Sequence, residues 1–236
     1  MTKDIEAVKA CAFDMFGTVF NVDSVVGTCR DAFGEEGDEF GKFWRRKQLE
    51  YSWLRGNMGR FRRFSGVTFD ALDTALAVYG RAHDTELRER LIAAYKTVSA
   101  FPDAAPALDA LGALGMTRAV LTNGSHDMVD SALAANNLTD KFEHKFSAED
   151  VETYKPRPEV YEMARKGLGL EPHEIILVSA HPWDIAGAES YGFQGVWIDR
   201  PEAGHHLETL GFDPYYHVRG LDEFAELMAA TMKDRV

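Results

Sequence analysis

The chain has 236 residues, of which 45% are hydrophobic and 27% charged, enough to bury a substantial core without disulfides or a structural metal. Its 38 Asp and Glu outweigh 26 Lys and Arg, giving a formal net charge of −12. That balance argues against nucleic acid and anionic membranes as partners, because both need a basic face. A small anion in a closed pocket is not excluded, since a few local cations outweigh a distant acidic surface.

The two cysteines, Cys11 and Cys29, make neither a disulfide framework nor a zinc cluster. The first ten residues are too polar for a signal peptide, and no stretch approaches a membrane span of roughly 20 apolar residues. The expected setting is therefore a reducing cytoplasm.

Val8 to Phe13 is a short apolar run closed by Asp14 and the turn Phe16-Gly17-Thr18, which predicts a buried strand ending at Asp14. From about Ser24 to Tyr95 the pattern is helical. Phe40, Phe43, Trp44, Leu49 and Leu54 form one stripe, Phe69, Leu72, Leu76 and Tyr79 a second, and Leu87, Leu91, Ile92 and Tyr95 a third. About four helices are predicted there, and no strand. Beyond Phe101-Pro102 the elements alternate. Helices are predicted over 107–114, 127–136, 159–168, 184–191 and 222–232, and strands over 118–121, 142–146, 174–179 and 195–198. Such alternation implies βαβ units and a parallel sheet whose strand carboxyl ends line one edge, where ligands bind. The reading is an α/β fold: a Rossmann-like core of residues 1–21 and 98–236, interrupted by an inserted helical cap domain of residues 22–97.

Four segments meet at that edge. They carry Asp14 and Thr18, then Thr122 and Asn123, then Lys155, then Ser179, His181 and Asp184. A carboxylate at a strand end followed by a glycine turn can serve as a nucleophile. A nearby lysine keeps it ionised and oriented. Thr122 and Asn123, in a turn that opens a helix, offer donors to an anion.

Phe13-Asp14-Met15-Phe16-Gly17-Thr18, followed by the other three segments in this order, resembles the haloacid dehalogenase superfamily. In its phosphatases a second aspartate lies two residues after the nucleophile and protonates the leaving alcohol; here that position is Phe16. Loss of a general acid costs typically 10²–10⁴-fold, whereas a halide leaves without a proton. Phe16 therefore favours halide displacement and removes the need for a phosphate-neutralising Mg²⁺, so no cofactor or metal is expected. The stretch Phe43-Trp44-Arg45-Arg46-Lys47-Gln48-Leu49-Glu50-Tyr51-Ser52-Trp53-Leu54-Arg55 resembles the L-2-haloacid dehalogenases, as do Tyr154-Lys155-Pro156 with Tyr161 and Trp183-Asp184 with Gly187-Ala188.

That resemblance implies hydrolysis of short L-2-haloalkanoic acids to 2-hydroxy acids with inversion, through an ester on Asp14. It implies that Arg45 and Asn123 hold the halide, that Thr122 and Asn123 contact the substrate carboxylate, and that Leu49, Phe64 and Trp183 line the pocket beside Phe16. Thr18, Lys155, Tyr161, Ser179 and Asp184 match positions that orient the nucleophile or the water. It also implies a homodimer. Most relatives carry Asn where this chain has His181; a subset with His is implied to pair it with an acid as a general base. Asn21 and Asp23 are the candidate partners here. The alternatives are a phosphatase or phosphonatase of the same superfamily, or a non-catalytic protein that binds a small carboxylate.

Overall fold

The computed structural model describes residues 5–200, 210, 211, 214 and 216–233. The apolar run after the N-terminus forms β1 (Ala10–Phe13), wholly buried. A two-residue strand β2 (Phe20–Asn21) follows. Four helices come next: α1 (Asp23–Phe33), α2 (Gly37–Asn57), α3 (Phe64–Val78) and α4 (Thr85–Lys96). Then β3 (Ser99–Ala100) pairs antiparallel with β2, so that entry to and exit from the helical block lie side by side. The sequence showed no sign of this ribbon, because two residues cannot display a strand period and the pairing spans about eighty residues of chain.

The remainder alternates as α5 (Ala104–Ala113), β4 (Thr117–Thr122), α6 (His126–Ala135), β5 (His144–Ser147), α7 (Pro158–Leu168), β6 (Ile175–Ser179), α8 (Pro182–Tyr191), β7 (Gln194–Ile198), β8 (Tyr216–Val218) and α9 (Leu221–Lys233). The short β8 was not expected. Local chemistry sets the limits of α7, with Pro158 in its first turn and Gly169 closing it at φ 66°.

The main sheet has the order β5-β4-β1-β6-β7-β8, every pair parallel. Alternate residues of β6 divide between two cores. Ile176 and Val178 join Leu108, Leu111 and Phe224, whereas Ile175 and Leu177 join Val160, Ala164 and Ile185. Helices therefore cover both faces, and β1 sits centrally between β4 and β6. No helix among the described residues is long and apolar enough to cross a membrane.

Candidate active site

Asp14 follows the last residue of β1. Its amide bonds the Val178 carbonyl of β6 at 3.0 Å, so the neighbouring strand fixes its height above the sheet. The chain then wraps around the Met15 carbonyl, which accepts from the amides of Thr18, Val19 and Phe20 at 3.3, 2.9 and 2.8 Å. Gly17 makes this loop possible at φ +105°, and a Cβ there would stand 3.0 Å from the His181 ring. The loop returns Thr18 to the nucleophile position: Thr18 Oγ1 donates to Asp14 Oδ2 at 2.9 Å and accepts from the Ala180 amide at 2.9 Å.

Lys155 is fully buried, with Nζ 3.3 Å from Asp14 Oδ1 and 2.7 Å from Asp184 Oδ2. Its backbone is held from two directions. The Lys155 amide donates to Asn123 Oδ1 at 2.7 Å, and its carbonyl accepts from Trp53 Nε1 of α2 at 3.2 Å. Asp184 in turn accepts from Tyr161 Oη at 2.9 Å. Burial by itself raises the Asp14 pKa, but the Lys155 ammonium, His181, the Thr18 hydroxyl and Arg45 together hold it below the usual carboxylate value. For Lys155, burial opposes the charge and the two carboxylates overcome it, so its pKa rises above the ordinary lysine value. Burial, with Asp14 nearby, raises Asp184.

Arg45 reaches over from α2. Its Nη2 donates to the Phe16 carbonyl at 3.2 Å and its Nη1 to Gln48 Oε1 at 3.3 Å. His181 Nε2 lies 2.9 Å from the same Phe16 carbonyl, 3.5 Å from Arg45 Nη2 and 3.7 Å from Asp14 Oδ2. A carbonyl oxygen only accepts, so in this arrangement Nε2 is the protonated nitrogen. The His181 ring stacks on Trp183 with centroids 5.4 Å apart, and Trp183 meets Trp53 edge-on at 5.4 Å.

Asn123 Nδ2 is buried without a protein partner, a donor left for a ligand at the strand ends. Thr122 Oγ1 accepts from the Gly124 amide at 3.0 Å, leaving its proton for another acceptor. The Phe16 ring packs against Phe20, and a Cβ on Gly124 would stand 2.7 Å from it. Phe64 is buried and meets the Tyr154 ring edge-on at 6.4 Å. Leu49 is half-buried, one turn beyond Arg45 on α2.

Tyr161 Oη lies 2.9 Å from Asp184 Oδ1 and 3.2 Å from the Asp184 carbonyl, which places it on the carboxylate partner of Lys155. The Ser179 hydroxyl accepts from the His181 amide at 3.2 Å in the turn after β6. Neither Asn21 nor Asp23 pairs with His181; Asn21 Oδ1 instead accepts from the Asp23 amide at 2.9 Å where α1 begins. Sequence reasoning passed over Gln48 and the tie from Trp53 to the Lys155 carbonyl. The signal for Gln48 was present: Phe40, Trp44, Gln48 and Ser52 recur every four residues and are all buried, so a polar pair continues an apolar stripe.

Residues 8–192 match the family model described as haloacid dehalogenase-like hydrolase. The chain is 41% identical to (S)-2-haloacid dehalogenase 1 of Pseudomonas sp. (strain CBS-3) over 225 residues, covering 95% of this chain and 98% of that protein. It is 39% identical over 223 residues to (S)-2-haloacid dehalogenase of Pseudomonas sp. (strain YL), covering 94% and 95%. Among solved structures it is similar to L-2-haloacid dehalogenase from Xanthobacter autotrophicus with chloropropionic acid covalently bound. There the TM-score is 0.87 at 32% identity, covering 94% of this chain and 98% of that one. A strand-end aspartate held against a buried lysine in a six-stranded parallel sheet and these likenesses agree, and the chain belongs to the haloacid dehalogenase-like hydrolases, within the (S)-2-haloacid dehalogenase family.

Proposed function

We propose that this protein hydrolyses short L-2-haloalkanoic acids to 2-hydroxy acids of inverted configuration through an ester on Asp14. The observation that carries the reading is an ionised, buried Asp14 fixed by Thr18 and Lys155, with Phe16 where a proton donor would serve a leaving alcohol. The covalently bound chloropropionic acid named for the Xanthobacter structure supports it.

An Asp14 oxygen attacks the α-carbon from the side opposite the halogen. A C–O bond forms as the carbon–halogen bond breaks, and the halide leaves with the electron pair. Asn123 Nδ2 and the Thr122 hydroxyl receive the substrate carboxylate, and Arg45 turns from the Phe16 carbonyl toward the departing halide. The helical block α1–α4, here assigned as the cap spanning 22–97, carries Arg45, Leu49 and Phe64 to the site. Water then attacks the Asp14 carboxyl carbon, freeing the hydroxy acid and one proton. His181 accepts that proton on Nε2 in the tautomer that carries its own proton on Nδ1, which it adopts once the Phe16 carbonyl is released, and the Lys155–Asp184 pair orients the water.

Replacing His181 with Ala therefore lets the ester accumulate on Asp14, visible as an added mass in a single turnover. Normal turnover without the adduct rules His181 out as the base. The whole reading is tested by halide release from the two enantiomers of 2-chloropropionate. The L form alone is expected to react, giving D-lactate at a rate a chelator leaves unchanged. Release of phosphate from phosphate esters with no halide release from either enantiomer would sink it.

The working form is proposed to be a cytoplasmic homodimer. The buried free thiols of Cys11 and Cys29, both pushed up by burial, suit a reducing compartment. Leu54 and Met58, four residues apart at the end of α2 and 49% and 64% exposed, suit a self-complementary contact.

A further inference from the structure

Arg45 holds two anchors of different kinds. Its Nη2 rests on the Phe16 carbonyl of the nucleophile loop, a contact that a halide has to displace. Its Nη1 rests on Gln48, one turn away on the same helix and fully buried.

Gln48 belongs to a directional chain of hydrogen bonds across three helices. Thr68 Oγ1 of α3 donates to the Phe64 carbonyl at 2.9 Å, and that spends its proton. It can then only accept from Gln48, whose Nε2 lies 3.2 Å away. This fixes the orientation of the Gln48 amide, so that Oε1 faces the opposite way. There it accepts from Arg45 Nη1 at 3.3 Å and from Tyr95 Oη of α4 at 3.1 Å. Trp44 Nε1 donates to the Thr68 carbonyl at 3.0 Å and pins the same turn of α3. A buried amide satisfied at both ends has one low-energy orientation, because turning it over leaves donors facing donors.

We propose that Gln48, locked by Tyr95 and Thr68, is the positioning residue that keeps the Arg45 guanidinium aimed at the leaving halide after its bond to Phe16 is released. The proposal rests on the reading of Arg45 as the halide-holding group. Gln48 touches no reacting atom; it acts through Arg45. Its effect therefore scales with the charge developing on the halogen. Chloride is a poorer leaving group than bromide, so its departure depends more on a well-placed cation.

The test compares single-turnover halide release from L-2-chloropropionate and L-2-bromopropionate in Gln48→Met, Tyr95→Phe, Arg45→Ala and the double variant Arg45→Ala/Gln48→Met. Gln48→Met preserves the side-chain length and is expected to slow the chloro substrate about tenfold and the bromo substrate about twofold, since small misplacements of a positioned group carry losses of this order. The bromide-to-chloride rate ratio thus rises about fivefold, toward that of Arg45→Ala. Tyr95→Phe removes one oxygen and moves the ratio the same way by about twofold. In the Arg45→Ala background Gln48→Met changes the ratio no further. If Arg45→Ala shifts the ratio while folded Gln48→Met and Tyr95→Phe both keep the wild-type value, Gln48 only packs and the proposal is overturned. If Arg45→Ala itself leaves the ratio unchanged, the assignment of Arg45 to the halide fails first, and the role given to Gln48 falls with it.

Discussion

Asp14 and Asp184 share one cation, the Lys155 ammonium, and the sharing is unequal in kind. Asp184 has the shorter contact with Lys155 and a tyrosine hydroxyl, and both of its carboxylate oxygens are engaged by them. Asp14 has the longer contact and a threonine, and it keeps lone pairs for attack. Because the Asp14 pKa is depressed, its ionised form contributes stability above its unfolded value and loses it only as pH falls through the folded value. The Lys155 pKa is raised, so its contribution is complete below its unfolded value and is lost as pH rises through the folded value. Both groups hold their working charge between roughly pH 5 and 10. The single-turnover rate of halide release is accordingly expected to be flat across that window, measured by rapid quench. A step inside that window would show that a further titrating group beside Asp14, His181 or Asp184, governs the first half-reaction as well.

At the scale of elements, close approach of α8 to the Lys155 segment holds the back of the site. A Cβ on Gly187 would stand 2.5 Å from both the Tyr161 hydroxyl and Pro156 Cβ. Gly187→Ala gains helix propensity worth about 1 kcal/mol, yet it forces apart the two residues that brace Asp184 and follow Lys155. Overpacking of this kind costs about 1–3 kcal/mol. The variant is expected to melt a few degrees lower and to lose kcat, because Tyr161 is pushed off Asp184; an unchanged melting temperature and rate would refute the packing argument. The same scale shows what the sequence concealed. Gly187 was legible as part of a family-like motif, but the collision that demands glycine joins α8, α7 and the Lys155 loop, which are separate in sequence.

The molecule closes over its site: Asp14 is 5% exposed and Thr18 and Lys155 are fully buried. Substrate entry thus requires the helical block to part from the sheet. The contacts that part include Arg45 to the Phe16 carbonyl, Trp53 to the Lys155 carbonyl and to the Trp183 ring, Tyr154 with the Arg62 backbone, and the ion pair Arg63–Glu149. Below them lies a permanent tie. Arg200, after β7, bonds both oxygens of Asp103 and the Thr18 carbonyl, and its guanidinium lies 3.6 Å from the centre of the Phe101 ring. Asp103 also accepts from the Leu221 amide that begins α9. One buried arginine therefore joins the nucleophile loop, the exit of the helical block and the last helix. Arg200→Met takes both guanidinium bonds from Asp103, which keeps only the Leu221 amide, and is expected to cost about 1–3 kcal/mol, read by chemical denaturation. Arg63→Ala, at an exposed pair, is expected to change stability by no more than about 1 kcal/mol. Equal effects of the two would contradict this division between hinge and latch.

The sequence alone determined the alternation of strands and helices, the four-helix insertion, and the gathering of Asp14, Thr122, Asn123, Lys155 and Asp184 at one sheet edge. Each follows from short-range signals: apolar period, glycine and proline punctuation, and the rule that parallel strands put their carboxyl ends together. Only the tertiary structure decided which polar groups meet. It gave Tyr161 to Asp184 and Ser179 to a backbone turn, and it set Arg45 between Phe16 and Gln48. It also paired β2 with β3. Such partners are chosen by distances of a few tenths of an ångström between segments far apart in the chain, and residue type and spacing carry no record of those distances.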